Sequence, residues 1–109
     1  MVKKIMKGVA ASMGITTGNI FIINTHEDFS RFPEGAILVA EKTDPSYVPL
    51  FFKAKAVITE LGGLTSHAAI ISRELGIPCV LNVKNARRLL QQGQKVVVDG
   101  TNGQIYTDA

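Results

Sequence analysis

The sequence predicts a single α/β domain in which short apolar strands alternate with a few helices. Two observations point to this class. Short apolar runs, many of them β-branched, recur between turns rich in Gly, Pro and Asn. Helical spacing combined with capping residues appears in three other places. With 109 residues the chain is long enough to bury a core, so we expect residues 1–109 to form one complete domain.

Six apolar runs are predicted as strands, and the last two form a hairpin around a turn at residues 100–103. The runs cover residues 18–24, 36–40, 54–59, 78–83, 95–99 and 104–107. Continuous apolar stretches such as the three valines at 96–98 indicate strands that are buried on both faces.

Two short helices are predicted on either side of the centre of the chain. Asp44 and Pro45 suit the N-cap and the first position of a helix within residues 44–53, which Pro49 keeps short. Residues 84–92 have a polar face and form a second helix that ends at Gly93.

The clearest helix runs from His67 to Leu75. Thr65 or Ser66 can cap its start, and Gly76 suits the position just past its end. Three apolar residues at helical spacing are expected to face the core: Ala68, Ile71 and Leu75.

Composition and charge exclude several classes of function. The net charge of +3 comes from Lys3, Lys4 and Lys7, because the other nine basic residues are matched by nine acidic ones. No aromatic residues interleave with bases, so we expect no nucleic-acid partner. No apolar run approaches the ~20 residues of a membrane span, and none is long enough for a signal peptide. One cysteine cannot form an internal disulfide, which predicts a cytoplasmic protein.

The stretch with the most chemical information runs over residues 59–67, from a strand end through a double glycine to a helix start. Gly62 and Gly63 allow positive φ angles and a close approach of the backbone to a ligand. The first N–H groups of the following helix have no intrahelical acceptor and carry the positive end of the helix dipole. This combination is typical of a phosphate site.

His67 stands at the centre of this stretch, directly after the hydroxyl-bearing Thr65 and Ser66. A neutral imidazole there can attack a phosphoryl group and hold it as phosphohistidine. A polar surface histidine beside an ordinary turn is the plainer alternative. A metal site is disfavoured because His26 is distant in sequence and Cys79 has no CxxC partner. Nucleophilic catalysis by Cys79 is conceivable, although an inert thiol is expected inside an apolar strand.

Residues 59–78, TELGGLTSHAAIISRELGIP, closely resemble the phosphohistidine signature of phosphoenolpyruvate-utilising enzymes. Residues 7–23 resemble the first strands of that family, residues 35–51 its segment before the signature, and residues 93–106 its closing hairpin. Ser72 departs from the family, which most often has alanine there. The resemblance implies the swivelling β/β/α phosphohistidine fold.

The resemblance also assigns roles to the residues around the histidine. It implies that His67 is phosphorylated on Nε2. It implies that Thr65, Ser66 and the backbone N–H groups after Gly63 bind the phosphoryl oxygens.

Residues on either side of this group are assigned a phosphate contact and a docking role. Arg73, six residues after the histidine, is implied as a further phosphate ligand. Its structural alternative is an exposed helix arginine that pairs with Glu74 or Glu60. Because a carrier must present the face around His67 to two different pockets, the apolar Leu61 and Leu64 are expected to be partly exposed and to form a docking patch. Ordinary loop packing is the alternative for both leucines.

By resemblance, the function is that of a phosphoryl carrier, a phosphotransferase component that is inactive without its partners. The family attaches this domain to an ATP-grasp nucleotide domain, a phosphoenolpyruvate/pyruvate barrel, or both. We expect no cofactor or metal on this domain, with Mg²⁺ and either ATP or phosphoenolpyruvate held by those partners. The alternative from another class is a non-catalytic regulatory or interaction module that keeps the fold.

Overall fold

The computed structural model describes residues 2–108, apart from the side chain of Asp108, and within this range it contains eight strands and three α-helices. The strands are β1 (Val2–Lys7), β2 (Val9–Ser12), β3 (Ile15–Ile22), β4 (Ile37–Ala40), β5 (Ala56–Thr59), β6 (Cys79–Leu81), β7 (Lys95–Asp99) and β8 (Gln104–Asp108). The α-helices are α1 (Val48–Phe51), α2 (His67–Leu75) and α3 (Ala86–Leu89), and 3₁₀ helices cover His26–Arg31 and Pro45–Tyr47. None of these helices is long and apolar enough to cross a lipid bilayer.

The strands form one mixed sheet in the order β1-β8-β7-β3-β4-β5-β6-β2. Neighbours from β3 to β6 are parallel, and the remaining pairs are antiparallel. Because β4 and β5 are parallel neighbours, the segments that follow them leave the same edge of the sheet.

The first two strands connect the two edges of this sheet through Gly8. β1 pairs with β8 at one edge, and β2 pairs with β6 at the other. A Cβ atom at Gly8 would lie 2.2 Å from the carbonyl oxygen of Leu81. Only glycine allows the two backbones to approach this closely where the chain crosses.

Alternating side chains along β4 and β5 divide the core into two layers. Ile37, Val39 and Ile58 pack in a cluster with residues of β7 and β8. Leu38 and Val57 pack on the opposite face with residues of α1 and α2. The single sheet therefore folds over so that β7 and β8 cover one face of β4 and β5, while the helices cover the other. This order of layers, sheet on sheet on helix, confirms the predicted β/β/α architecture.

Strands buried on both faces are β4, β5 and β6, in which every residue is buried. The three valines at 96–98 in β7, which suggested such burial, are buried on only one face of the strand. Val96 and Val98 are fully buried, whereas Val97 is only half-buried. The core therefore contacts one face of β7.

The predicted strands are all present, with ends that shift by up to three residues at either terminus. The predicted helix at 84–92 is reduced to the single turn of α3. Beyond it, the Gly93 N–H donates to the Ile20 carbonyl, and the Ile20 N–H donates to the Gln94 carbonyl, both at 2.8 Å. After α3 the backbone at residues 93–94 therefore pairs with β3 instead of continuing the helix.

The polar segment around His26 forms a 3₁₀ helix, His26–Arg31. Asp28 produces this helix because its Oδ2 accepts hydrogen bonds from the backbone of Asn24 at 2.8 Å and of Thr25 at 3.1 Å. These bonds lower the pKa of Asp28, with a smaller contribution from Arg31.

Helix α2 has the predicted bounds but presents a different face to the core. Ala68, Ala69 and Ser72 are buried. Leu75, which was expected inside, is 37% exposed, and Ile71 is half-buried against the core. The small residues allow the helix to lie close against the sheet, which leaves little room for Leu75 beneath it.

Candidate active site

The predicted histidine lies where the segments that follow β4 and β5 leave the sheet side by side. Thr43 is in the segment after β4, and the double-glycine loop after β5 leads to His67. Binding sites in α/β folds commonly lie beyond the carboxyl ends of parallel strands. The fold therefore positions the loop for access from outside the sheet.

The double-glycine loop has a defined conformation. Gly62 has a φ of +122°, and a Cβ there would lie 3.1 Å from the Ser66 Oγ. The Ser66 N–H donates to the Gly63 carbonyl at 3.0 Å, which closes a turn. Thr59, at the end of β5, donates its hydroxyl to the Leu61 carbonyl at 2.5 Å. A Cβ at Gly63 would meet nothing within 4 Å, so this side of the turn is open.

The start of α2 presents N–H groups to the same region. Ser66 is the N-cap, and its Oγ accepts a long hydrogen bond of 3.5 Å from the Ala69 N–H. The Ile70 N–H donates to the Ser66 carbonyl at 3.1 Å and begins the helical ladder. The N–H groups of His67 and Ala68 precede that bond, and with the helix dipole they favour an anion.

The half-buried His67 ring is held by two neighbours. Its Nδ1 lies 2.8 Å from the Thr43 hydroxyl, and the Phe51 ring meets it edge-on with centroids 5.8 Å apart. Thr43 is itself buried. With Nδ1 occupied, Nε2 is the ring nitrogen that remains for chemistry. Sequence reasoning missed Thr43, although its place between strand β4 and an Asp-Pro helix start was a usable signal.

A short network fixes the loop that carries Thr43. The Asp44 Oδ1 accepts hydrogen bonds from the backbone N–H of Ser46 at 2.8 Å and from its hydroxyl at 2.5 Å. These two bonds, with weaker help from the nearby His26 and His67, lower the pKa of Asp44. Because Ser46 gives its only proton to Asp44, its oxygen accepts from the His26 Nε2 at 2.9 Å. His26 therefore supports this loop.

Glu60 anchors the start of the glycine loop. Its carboxylate accepts a 2.8 Å hydrogen bond from the Arg87 backbone N–H and a 3.0 Å bond from the Arg87 guanidinium. Burial acts to raise the pKa of Glu60, but the bonds from Arg87 outweigh it and hold the pKa below its ordinary value. Arg87 also reaches the Asn24 side chain at 3.3 Å and the Glu41 carboxylate at 4.0 Å. It thereby connects the segments that follow β3, β4 and β5.

Arg73 is the one predicted site residue that the structure directs away from the histidine. Its Nε donates a 2.7 Å hydrogen bond to the carbonyl of Ala11 on β2. Six residues along a helix place it about 9 Å from His67 along the axis and roughly 120° around it. The pairing of Arg73 with Glu60 was wrong, because Glu60 pairs with Arg87.

The loop residues that were predicted to bind phosphate or to dock a partner are accessible to solvent. Leu61 is 50% exposed and Leu64 is 53% exposed. Thr65 and Gly63 are also exposed, and Ser66 is half-buried. The exposure that a docking patch requires is therefore present, whereas docking itself stays a prediction.

The alternative nucleophile Cys79 lies in the core between β5 and β2. It is fully buried, and burial raises the pKa of its thiol to about 12 despite a weak contact with the Ser72 hydroxyl. A thiol that is neither accessible nor ionised cannot act as a nucleophile. The cysteine-based reading is wrong.

A β/β/α domain that holds a histidine at a helix start behind a double-glycine loop defines the class of swivelling phosphohistidine domains. A family model described as "PEP-utilising enzyme, mobile domain" matches residues 32–103. The chain belongs to this family of mobile domains from phosphoenolpyruvate-utilising enzymes.

Its relatives among curated proteins are much longer. The chain is 48% identical over 102 residues to phosphoenolpyruvate synthase of Pyrococcus furiosus, covering 94% of this chain and 12% of that protein. It is 49% identical over 98 residues to the "Uncharacterized phosphotransferase YvkC" of Bacillus subtilis, covering 90% of this chain and 12% of that protein. The chain thus spans only a small part of each relative.

Solved structures agree on the fold. The solution structure of an Enzyme I protein superposes with a TM-score of 0.61 at 30% identity, covering 76% of this chain and 33% of that one. The holo-form of Thermococcus kodakaraensis aconitase X superposes with a TM-score of 0.69 at 20% identity, covering 94% of this chain and 96% of that one. The second likeness concerns the fold alone.

Proposed function

We propose that this domain carries a phosphoryl group on Nε2 of His67 between two sites on partner domains. The observation that carries the proposal is the 2.8 Å contact between the His67 Nδ1 and the Thr43 hydroxyl. If this hydroxyl accepts from Nδ1–H, the lone pair of the neutral ring is on Nε2. The membership of the phosphoenolpyruvate-utilising family supports the same chemistry.

In the proposed transfer, the Nε2 lone pair attacks the phosphorus of phosphoenolpyruvate or ATP. The N–P bond forms as the P–O bond breaks, and that electron pair leaves with the enolate of pyruvate or with the nucleotide. In the second half, an acceptor oxygen attacks phosphorus, and the N–P electron pair returns to Nε2. The Thr43 hydroxyl can accept a hydrogen bond from Nδ1 or donate one to it, so it stays bonded to the ring whether or not His67 carries the phosphoryl group.

Several hydrogen-bond donors around His67 support the binding of phosphoryl oxygens there. The backbone N–H groups of His67 and Ala68 precede the helical ladder, and the Thr65 hydroxyl is exposed beside them. The Ser66 hydroxyl accepts from Ala69, which leaves its proton free to donate. Gly63 adds open space rather than a side chain. Phosphate contact by Arg73 stays a prediction and requires its outer guanidinium nitrogens.

The proposed transfer also requires cations and a phosphoryl donor, which we assign to partner domains. Phosphoryl transfer requires cations that neutralise the developing charge. We assign Mg²⁺, together with ATP or phosphoenolpyruvate, to an ATP-grasp domain, a phosphoenolpyruvate/pyruvate barrel, or both. The relatives extend over roughly eight times the matched length, which is room for such domains.

The deciding experiment is transfer of label in trans. Phosphoenolpyruvate synthase of Pyrococcus furiosus, with the region that matches this chain deleted, is incubated with ³²P-labelled phosphoenolpyruvate and this domain. We expect acid-labile, base-stable label on the wild-type domain. None is expected on His67→Ala, whereas His26→Ala, the matched control, keeps the label.

Two results would contradict the carrier role. Label on His67→Ala, or loss of label only in His26→Ala, would assign the nucleophile elsewhere. A wild-type domain that binds the truncated synthase but takes up no label would favour the alternative, a non-catalytic interaction module.

A further inference from the structure

A cleft opens on this domain beside the point where the first strand crosses between the sheet edges. It has a volume of about 600 Å³ and is bordered by residues 5–8, residues 82–84 and Leu89. The phosphoryl chemistry proposed above uses none of these residues. The volume lies within the range of ordinary ligand sites.

The sheet topology explains why the cleft exists. β2 and β6 are paired up to Val9 and Leu81. Beyond this pair, β1 diverges toward β8, while Asn82 takes a φ of +56° and turns its chain away. The two backbones separate, and a wedge of space remains between them.

The unpaired edge of β1 faces this wedge. β1 has β8 on one side and, among residues 2–108, no strand on the other. Four successive residues of the strand and its end, 5 to 8, border the cleft. Ile5 lies at a register irregularity between Lys4 and Met6, after which the pairing with β8 is regular again. Because side chains alternate between the two faces of a regular strand, the consecutive residues Met6, Lys7 and Gly8 can border one cleft only along the backbone edge. Unpaired backbone groups there can accept an added strand.

The side chains of the cleft are apolar at its walls and cationic at its rim. Ile5 is 37% exposed and Leu89 is 60% exposed. Lys7 and Lys84 are exposed, and neither forms an ion pair with another described residue. No acidic residue is among those that border the cleft. The exposed Asn82 amide adds a further polar group.

We propose that this cleft binds an extended acidic segment of a partner protein, which adds as a strand to the free edge of β1. Backbone pairing would supply affinity, and alternating carboxylates and apolar side chains would meet the two lysines and the apolar walls. The site is separate from His67, so it would anchor the domain whatever the state of the histidine. It goes beyond the carrier function and does not depend on it.

The test uses the whole chain and the probe peptide acetyl-Glu-Val-Asp-Ile-Glu-Val-amide, followed by ¹⁵N NMR titration. We expect shifts confined to residues 2–8 and 82–89. The double variant Lys7→Glu/Lys84→Glu should weaken binding about tenfold or more. Lys53→Glu, which reverses an exposed lysine outside the cleft, is the matched control and should not.

A second set of probes tests strand addition. Methylating every second backbone amide of the peptide should abolish binding in one of the two alternating patterns and spare it in the other, because an added strand pairs through alternate residues. Equal effects of the two patterns would overturn strand addition. Absence of shifts, or shifts that the double lysine variant leaves unchanged, would overturn the site.

Two other occupants are distinguished by the same samples. A concentration-dependent dimer of the chain alone, abolished by the double lysine variant, would assign the edge to a second copy. Full competition by octanoate, with no dependence on peptide methylation, would assign the cleft to a small amphipathic anion. Either result overturns the proposal.

Discussion

The buried Thr43 hydroxyl lies 2.8 Å from Nδ1 of His67, although 24 residues separate them in the chain. The contact joins the segments that follow two parallel neighbouring strands, β4 and β5. It holds the imidazole from one side while the Phe51 ring supports it from another. The fold therefore orients the ring of His67, the proposed nucleophile, through contacts within this domain.

Replacing Thr43 with valine keeps the shape of the side chain and removes its hydroxyl. We expect phosphoryl transfer to slow about tenfold, which is the effect of one lost hydrogen bond of roughly 1.4 kcal/mol. The rate constant should change more than KM, because ring orientation is affected and docking is not. ¹⁵N NMR of the ring should show a mixture of His67 tautomers.

Thr43→Ser is the matched control because it keeps the hydroxyl. It should preserve both the rate and the tautomer. A valine variant with a normal rate and a single tautomer would show that Thr43 is only a packing residue.

Substituting Leu64 with aspartate should weaken phosphoryl exchange with a partner while leaving the isolated domain as stable as before. Leu64 is 53% exposed, so a charge there disturbs little packing. It lies three residues before His67, within the face that a donor site would cover in the proposed transfer. The measurement is KM for the domain in the trans-labelling reaction, together with urea unfolding.

Met13→Asp provides the control for this charge substitution. Met13 is 76% exposed and lies beside Gly76, at the far end of α2. A comparable rise in KM for both variants would mean that docking does not use the leucine patch.

Glu60→Gln should destabilise the domain at pH 7 by about 1 kcal/mol, since it removes a charged hydrogen bond to Arg87. The folded-state pKa of Glu60 is depressed below its ordinary value of 4.5. Its contribution is therefore present above pH 4.5 and lost as the pH falls through the folded-state pKa. The difference between wild type and variant in urea unfolding should shrink below pH 4.5.

Glu34→Gln, at an exposed position ahead of β4, controls for the loss of charge alone. A difference that stays constant from pH 7 to pH 3 for Glu60→Gln would contradict a role for the ionised carboxylate.

Ser72→Ala should stabilise the domain by about 0.5–1 kcal/mol. The Ser72 hydroxyl is fully buried, and no described nitrogen or oxygen atom forms a hydrogen bond with it. Its contact with the Cys79 thiol offers only a weak partner. Alanine removes an unsatisfied group and suits the helix. The measurement is the midpoint of thermal unfolding.

Ser46→Ala makes the opposite comparison, because the Ser46 hydroxyl bonds to both Asp44 and His26. It should not stabilise the domain. A lower midpoint for Ser72→Ala than for wild type would mean that the buried hydroxyl is satisfied.

Local sequence was sufficient to predict the elements whose determinants lie within a few residues of one another. Helix α2 has its predicted bounds because Ser66 caps its start and Gly76, with a φ of +71°, ends it. The closing hairpin likewise follows from its turn residues. The apolar strands were recognisable because burial on both faces requires uninterrupted apolar runs.

The tertiary structure alone decided which side chains meet around the histidine. A pairing of Arg73 with Glu60 was an alternative from the sequence, yet Arg73 bonds to Ala11 and Glu60 bonds to Arg87. Leu75 had the right spacing for the core and is partly exposed. Such contacts depend on which strands are neighbours and in what register, and both follow from packing over the whole chain. The sequence by itself determined the double-glycine loop and the histidine that follows it, because both lie within one short segment, whereas the order of the sheet brought Thr43 to the ring.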